Sequence, residues 1–398
     1  MDLIIVPFHD FKKWIYEGFR TRDAHLFEHF VKSQKFNKIL VINRPVSPVE
    51  MIVKRRSWHV NTGKLIKKSR NFRLTEVSEN VFCLDFIVFD FIKVLIQKKY
   101  WWFSCFSYPI ITDTINQCMD FLNMKDNVLF LQNPMSINVA KKIKNINIFA
   151  FDAIDNWLVH PQMAQIHDII SANYKYVDCH ADLIFTVSEN LLHIFKQNKN
   201  KYWIPNGVDL DFFSSARSTQ KKDRFCIGYI GKIQERVDFV LIEECLKRFR
   251  DVDFVFLGPV LSQKNQVNIL KKHYNNIKFL GDIHYEKLPE FMQSFDIAII
   301  PHKVDEFTAS MNPLKLYEYL AAGKPVVTTR VAGVDNISKF VYIANNNDKF
   351  IEKISQILKL LREDSINPLE ITNSVSKEIL WEFKVNQILN YFTSRINK

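Results

Sequence analysis

The string Met-Asn-Pro-Leu-Lys-Leu-Tyr-Glu-Tyr-Leu-Ala-Ala-Gly-Lys-Pro-Val-Val at residues 311–327 combines a helix start, two opposite charges and a helix stop. Asparagine is a favoured N-cap, and proline suits the first helical position, where its missing N–H costs nothing. Asn312 is therefore expected to cap a helix that opens at Pro313. The free N–H groups and positive dipole end of such a start make an anion site, and a diphosphate is a natural occupant. Lys315 and Glu318, three residues apart, share one helix face. Glu318 could accept from both hydroxyls of a ribose while Lys315 adds charge near phosphate. The same two residues could equally form an exposed surface pair. Gly323 is a good C-cap for this helix.

Other acidic groups are placed less specifically. The string Phe149-Ala-Phe-Asp152-Ala-Ile-Asp155-Asn-Trp157 ends a strand, with His160 further along. Asp152 and Asp155 could bind acceptor hydroxyls or assist as a base, or be a helix N-cap and a structural carboxylate. Between Trp14 and Asp23, the first strand–helix loop holds Gly18, Arg20 and Arg22, which could reach an acceptor or a phosphate. Asp209-Leu-Asp211 and Asp251-Val-Asp253 look like metal-binding acid pairs. The first falls in a turn between domains and the second at the start of a buried strand, so no metal is expected. GxSxG, Walker and GxGxxG motifs are absent.

These residues need elements to hold them. Beyond residue 203, strand and helix alternate five times. Strands are expected at 225–230, 252–257, 277–280, 297–300 and 325–329. Helices are expected at 237–250, 261–273, 288–293, 313–322 and 348–361. Several of the strands are apolar on both faces, the pattern of a parallel sheet covered by helices on both sides. Ligands of such sheets bind outside the carboxyl ends of the strands. The Gly228/Gly231 loop, the Gly258 loop and the 311–327 string all fall at that edge. The first half offers strands at 3–6, 38–42, 128–131, 146–151 and 183–187, a second α/β domain. Tyr202-Trp-Ile-Pro-Asn206-Gly-Val-Asp209 marks the crossing, because Pro and Asn-Gly break both periodicities.

Composition agrees with two domains. A chain of 398 residues fits two domains of about 150 to 200 residues each. With 47% hydrophobic and 24% charged residues, it is globular rather than disordered. Its six cysteines show no CxxC or metal spacing, as expected of buried small hydrophobes in a reducing compartment. The apolar run at residues 3–6 suits a buried strand and is too short for a signal core. The stretch at 81–96 is interrupted by Asp85, Asp90 and Lys93 and falls short of the roughly 20 residues a span needs. A cytoplasmic placement is expected.

The formal net charge of +11 is uneven, with twelve Lys/Arg against five Asp/Glu between Arg44 and Lys99. That run includes Lys54-Arg55-Arg56, Lys64, Lys67, Lys68, Arg70 and Arg73, with Trp58, Phe72, Trp101 and Trp102 among or beside them. It is either a solvated basic face or a surface for anionic membrane. No zinc-finger, RNP-like or helix-turn-helix signature points to nucleic acid.

Taken together, residues 311–327, Asn206-Gly207-Val208-Asp209 and the Gly228/Gly231 loop resemble the GT-B glycosyltransferases, specifically the large retaining family 4 of bacterial surface-polysaccharide synthesis. The resemblance implies an α/β protein of two facing Rossmann-like domains, 1–204 on the acceptor side and 205–379 binding nucleotide-sugar. It also implies a C-terminal helix, within 380–398, returning to the first domain. It makes Glu318 the ribose ligand and sets Gly231, Lys232 and Arg236 against the donor phosphates. Thr308, Ser310, Met311 and Asn312 would offer backbone N–H groups, ahead of Pro313, Leu314 and Lys315 at the helix start. The implied reaction moves a sugar from a nucleoside diphosphate to a glycan or lipid-linked hydroxyl, with retention and with neither metal nor cofactor. Two positions depart from the family pattern. Its first glutamate, eight residues before the second, is Ser310 here, with Glu306 the nearest acid. Asp238 stands where a second base is usual, and Arg236 is taken as the substitute. A sugar-nucleotide epimerase or hydrolase, or a non-catalytic partner subunit, would use the same fold.

Overall fold

Strands that are apolar on both faces must be covered on both faces, and this requirement organises the chain into two sheets. The computed structural model describes residues 1–55, 57–97, 100–217 and 223–396, without the side chains of Lys54, Trp102, Phe103 and Pro161. Arg56, Lys98 and Lys99 of the basic run, and the Lys54 and Trp102 side chains, therefore lie outside the described residues. The chain divides into one unit of Met1–Ile204 with Val385–Lys398 and a second of Pro205–Lys384.

The strands of the first unit are β1 (Asp2–Val6), β2 (Ile39–Ile42), β3 (Lys64–Lys68), β4 (Phe72–Ser78), β5 (Val81–Phe86), β6 (Asn127–Leu131), β7 (Ile146–Ala153), β8 (Leu183–Thr186) and β9 (Lys201–Trp203). They lie in the order β3-β4-β5-β2-β1-β6-β7-β8-β9. All neighbours are parallel except β3–β4 and β4–β5. The segment between β2 and β6, where the periodicity predicts no strand, thus adds three. Only β5 in that segment is buried throughout; β3 is mostly exposed lysine and carries no alternating signal. Four short helices flank these strands at α1 (Phe11–Glu17), α2 (Arg22–Lys32), α3 (Pro48–Lys54) and α4 (Phe91–Gln97).

The strands of the second unit are β10 (Cys226–Ile230), β11 (Asp253–Leu257), β12 (Ile277–Gly281), β13 (Ile297–Ile300), β14 (Val326–Thr329) and β15 (Val341–Ala344). The order β12-β11-β10-β13-β14-β15 is parallel throughout. Strand order reverses between β10 and β13, which leaves a crevice outside their carboxyl ends. Alternation along β10 sends Ile227 and Tyr229 to one apolar layer and Cys226 and Ile230 to the other. The 311–327 helix, α5 (Leu314–Ala321), covers one face; helices Phe239–Arg248 and Asn347–Arg362 cover the other.

Five cysteines are buried as expected, and Cys179 is exposed; all six are free. Asp209 caps the short helix Leu210–Ser214 by accepting from Asp211 and Phe212 N–H. Asp253 pairs with Arg224 at 2.8 Å.

The final helix, α6 (Trp381–Ile396), crosses between the units and completes the first. Its Phe392 is fully buried, with the rings of Phe30, Phe130 and Phe185 at 6.4, 6.1 and 6.1 Å. Arg395 Nη2 donates to the Asp182 carbonyl at 3.2 Å. Removing a phenyl group from such a site costs about 3 to 5 kcal/mol. Phe392→Ala should therefore lower the denaturant midpoint of the unfolding step that reports the first unit, read by tryptophan fluorescence, and leave the second unit's step in place.

Candidate functional site

The residues singled out in the second sequence half converge on the crevice between β10 and β13. β10 delivers Tyr229 and then Gly231, whose φ is +143°. A side chain there would be strained by the backbone, and its Cβ, 2.4 Å from Lys315 Nζ, would push the lysine aside. The Lys315 ammonium stands 4.0 Å above the Tyr229 ring. Tyr319, on the same helix, receives the Ile230 N–H at 2.7 Å and so fixes α5 to the end of β10. The Lys–Glu pair is not on the surface: Lys315 is half-buried and Glu318 buried. Glu318 Oε1 accepts from Tyr285 OH at 2.9 Å, and Tyr285 is stacked on Phe212. Among the described residues Lys315 makes no ion pair.

The helix start differs from expectation. Pro313, not Asn312, is the N-cap, and it offers no side-chain bond. Asn312 does other work. Its Oδ1 accepts from Asn206 N at 2.8 Å, its carbonyl accepts from Asn206 Nδ2 at 2.6 Å, and its Nδ2 donates to Tyr317 OH at 2.8 Å. The Asn-Gly-Val-Asp string is thereby bolted to the start of α5. The helix ends as expected, with Gly323 at φ +70° and the Lys324 N–H returned to the Tyr319 carbonyl.

Backbone N–H groups expected to face a phosphate are partly committed. Thr308 N donates to Asp305 Oδ1, Ser310 N to the Phe307 carbonyl and Met311 N to the Thr308 carbonyl. The Thr308 hydroxyl is turned onto the Lys303 carbonyl. The open donors are instead those of the first helical turn, at Leu314 and Lys315, which have no acceptor inside the helix.

Arg236 lies close enough to reinforce the positive field. Its Nη1 reaches Met311 Sδ at 3.8 Å. Lys232 is half-buried beside it in sequence, its carbonyl accepting from Tyr229 OH at 3.3 Å. Asp238, where a second base is usual, caps helix Phe239–Arg248 by accepting from Val240 and Leu241 N–H. One further group belongs to the cluster and carries no sequence signal beyond its place at a strand end. His302, just past β13, is buried with Nε2 3.3 Å from Tyr229 OH. Burial, with Lys315 and Arg236 nearby, drives its proton affinity well down. Burial likewise pushes the Tyr229 phenol up to about 12.

In the first unit, Asp152 is a correction. It is fully buried and clamped by Arg22, whose Nη2 lies 2.8 Å from Oδ1, and by Gln132 Nε2 at 3.0 Å. A carboxylate so enclosed anchors α2 to the sheet and is unsuited to take a substrate proton. Asp155 is half-buried, its carbonyl accepting from Tyr174 OH at 3.1 Å. His160 caps the 3-10 helix Pro161–Ile166 through Nδ1. Asp23 accepts from His9 N and Trp14 Nε1. Arg20 pairs with Glu17 at 2.9 Å.

Both anion binding and stability should depend on pH through this cluster. Burial and Arg236 lower the Lys315 proton affinity well below the lysine range, with Glu318 opposing. A bound dianion restores that affinity, so anion binding should take up a proton and weaken as pH rises. Calorimetry in buffers of differing ionisation enthalpy measures this uptake, and Lys315→Met should abolish it. His302, kept neutral in the fold, gains a proton only on unfolding below about pH 6.5, so stability falls with pH there. The acid-induced drop in Tm should therefore shrink in His302→Gln.

Comparison with known proteins bears on the family and the fold. Residues 224–360 match the family described as Glycosyl transferases group 1. The chain is 26% identical over 238 residues to the "Putative teichuronic acid biosynthesis glycosyltransferase TuaH" of Bacillus subtilis, covering 58% of each chain. It spans about half the length of the curated relatives it matches. Among solved structures, sucrose-phosphate synthase from Thermosynechococcus elongatus superposes with a TM-score of 0.70 at 14% identity, covering 100% of both chains. Anabaena HepE in complex with UDP-glucose superposes at 0.65 and 13%, covering 99% of this chain and 100% of that one. Both likenesses establish the fold, two parallel-sheet α/β units of the GT-B type.

Proposed function

We propose that this chain, a GT-B protein whose residues 224–360 are a group 1 glycosyltransferase domain, moves a sugar from a nucleoside diphosphate to an acceptor hydroxyl. The observation that carries the reading is the cationic crevice outside β10 and β13, where Lys315 and Arg236 gather beside the buried carboxylate of Glu318. A diphosphate leaving group gains negative charge as the glycosidic bond breaks. Lys315, Arg236, Lys232 and the open N–H groups of α5 are fixed donors toward that charge, as electrostatic catalysis requires. They do the work a divalent ion does elsewhere, so we read the reaction as metal-independent and needing no cofactor beyond the donor. Glu318, oriented by Tyr285, suits the ribose hydroxyls.

We further read the transfer as retaining, with the donor phosphate itself the proton acceptor, a role left open by the enclosure of Asp152. The teichuronic acid name of the Bacillus relative supports a surface-glycan or lipid-linked acceptor. The basic first unit suits work at the cytoplasmic face of an anionic membrane.

Thermal-shift titration with UDP, GDP and dTDP, and with their sugars, tests the donor claim. One nucleotide series should raise Tm, by an amount equivalent to about 2.7 kcal/mol at a hundredfold excess over Kd. Glu318→Gln, which keeps an oxygen acceptor for the Tyr285 hydroxyl, should weaken that ligand about tenfold or more while the unliganded Tm stays near wild type. No stabilisation by any nucleotide at millimolar concentration would sink the proposal. Donor consumption that is unchanged by acceptor would replace transfer with hydrolysis or epimerisation.

A further inference from the structure

α3 and α4 pack against one another in the first unit and turn an apolar face to solvent. On α3, Ile52 and Val53 are 77% and 75% exposed; on α4, Ile92, Leu95 and Ile96 are 73%, 64% and 74% exposed. Phe89 and Phe91 extend the face, and only Val94 of α4 is buried. Scattered exposed aliphatics are ordinary, but a contiguous group of this size on two adjoining helices marks an interaction surface.

The surrounding charge selects the partner. Arg55, Lys68, Arg70 and Lys93 are exposed around the apolar group, with the Arg70 guanidinium 5.0 Å over the Phe89 ring. Glu50 is paired with Arg44 at 3.1 Å, and Asp90, which accepts the Tyr108 hydroxyl and the Lys93 N–H, is paired with Lys93 at 4.0 Å. With these acids so engaged, Arg55, Lys68 and Arg70 leave the rim with an excess of positive charge. Among the described residues no helix is long and apolar enough to cross a membrane. Short helices with apolar side chains outward and basic side chains at the rim are built to lie in a bilayer interface.

We propose that the α3–α4 face docks on an anionic lipid bilayer, with Ile52, Val53, Ile92, Leu95 and Ile96 entering the headgroup region. The other side of α3 walls a cavity of about 640 Å³, lined by Glu50 and Met51 of α3 and by Lys12, Tyr16, Arg44 and Arg55. The inference rests on the membrane-face placement proposed above, and not on the donor chemistry.

Vesicle flotation of the full chain tests it, using phosphatidylcholine alone and phosphatidylcholine mixed with phosphatidylglycerol. The chain should float with the mixed vesicles at low salt and much less with phosphatidylcholine. Ile92→Ser combined with Ile96→Ser should weaken partition more than tenfold, and Ile52→Ser with Val53→Ser should act in the same direction. Arg70→Gln should cost roughly fivefold. Val240→Ser, at an exposed aliphatic of the second unit, should change nothing. Because the altered side chains are already in water, Tm should stay at the wild-type value in each variant. Absence of flotation with the mixed vesicles would overturn the proposal, as would unchanged binding in the α3 and α4 variants. So would concentration-dependent dimerisation abolished by the same substitutions, since the face would then serve a second copy. Nucleotide thermal shifts on the same preparations report separately on the donor site.

Discussion

A lysine ammonium stacked on a tyrosine ring, beside a glycine whose missing Cβ leaves it room, is the constraint around which the second unit is arranged. Lys315 can lie 4.0 Å over Tyr229 only because residue 231 has no Cβ. Gly231 can turn there because β10 ends in a parallel sheet whose order reverses beside it. The cost of holding a half-buried cation without an ion pair is offset in part by the ring face and by Glu318 one turn along the helix. An arrangement that disfavours positive charge when empty favours an anion when one arrives. This is electrostatic preorganisation in the sense that matters for catalysis: the donors are in place before the charge develops.

The polar groups near this cation are sorted by whether the fold consumes them. Asn206 donates to Asn312 twice, from its backbone N–H and from its side-chain amide, and both residues are structural. The turn at Thr308–Ser310 closes its N–H groups onto Asp305, Phe307 and Thr308. Pro313, having no side-chain cap to give, leaves the first turn of α5 directed outward. In the first unit the same sorting disposes of Asp152, whose lone pairs are held by Arg22 and Gln132.

Five of the six strands of the second sheet are legible in the sequence because most are apolar on both faces and their loops carry glycine and proline at the carboxyl edge; the half-buried β15 is not. Glu318 and Lys315 can be named from spacing alone, but their burial cannot, since an exposed pair has the same spacing. Asn312 is a good N-cap by type, yet a neighbouring backbone from a hundred residues upstream competes for its oxygen and wins. His302 and Tyr285 are invisible because a lone histidine past a strand, or a lone tyrosine opening a 3-10 turn, has no periodicity to betray it. The β3–β4 ribbon escapes for the opposite reason: its lysine-rich edge strand is too exposed to show an alternating pattern. The outward faces of α3 and α4 also read as ordinary apolar residues until their exposure is seen.

The aromatic nest around Phe392 has a consequence for how the chain comes into being. Phe30, Phe130 and Phe185 belong to the first half of the sequence, and the ring that completes their packing is encoded near residue 390. During synthesis the second unit has all of its strands out of the ribosome before that ring appears. The first unit therefore waits, with an apolar groove open along its sheet, while its successor can already fold. Domains generally mature in order of synthesis; here the division of α6 between the units delays the earlier one, and the groove is the surface a chaperone would have to cover in the interval.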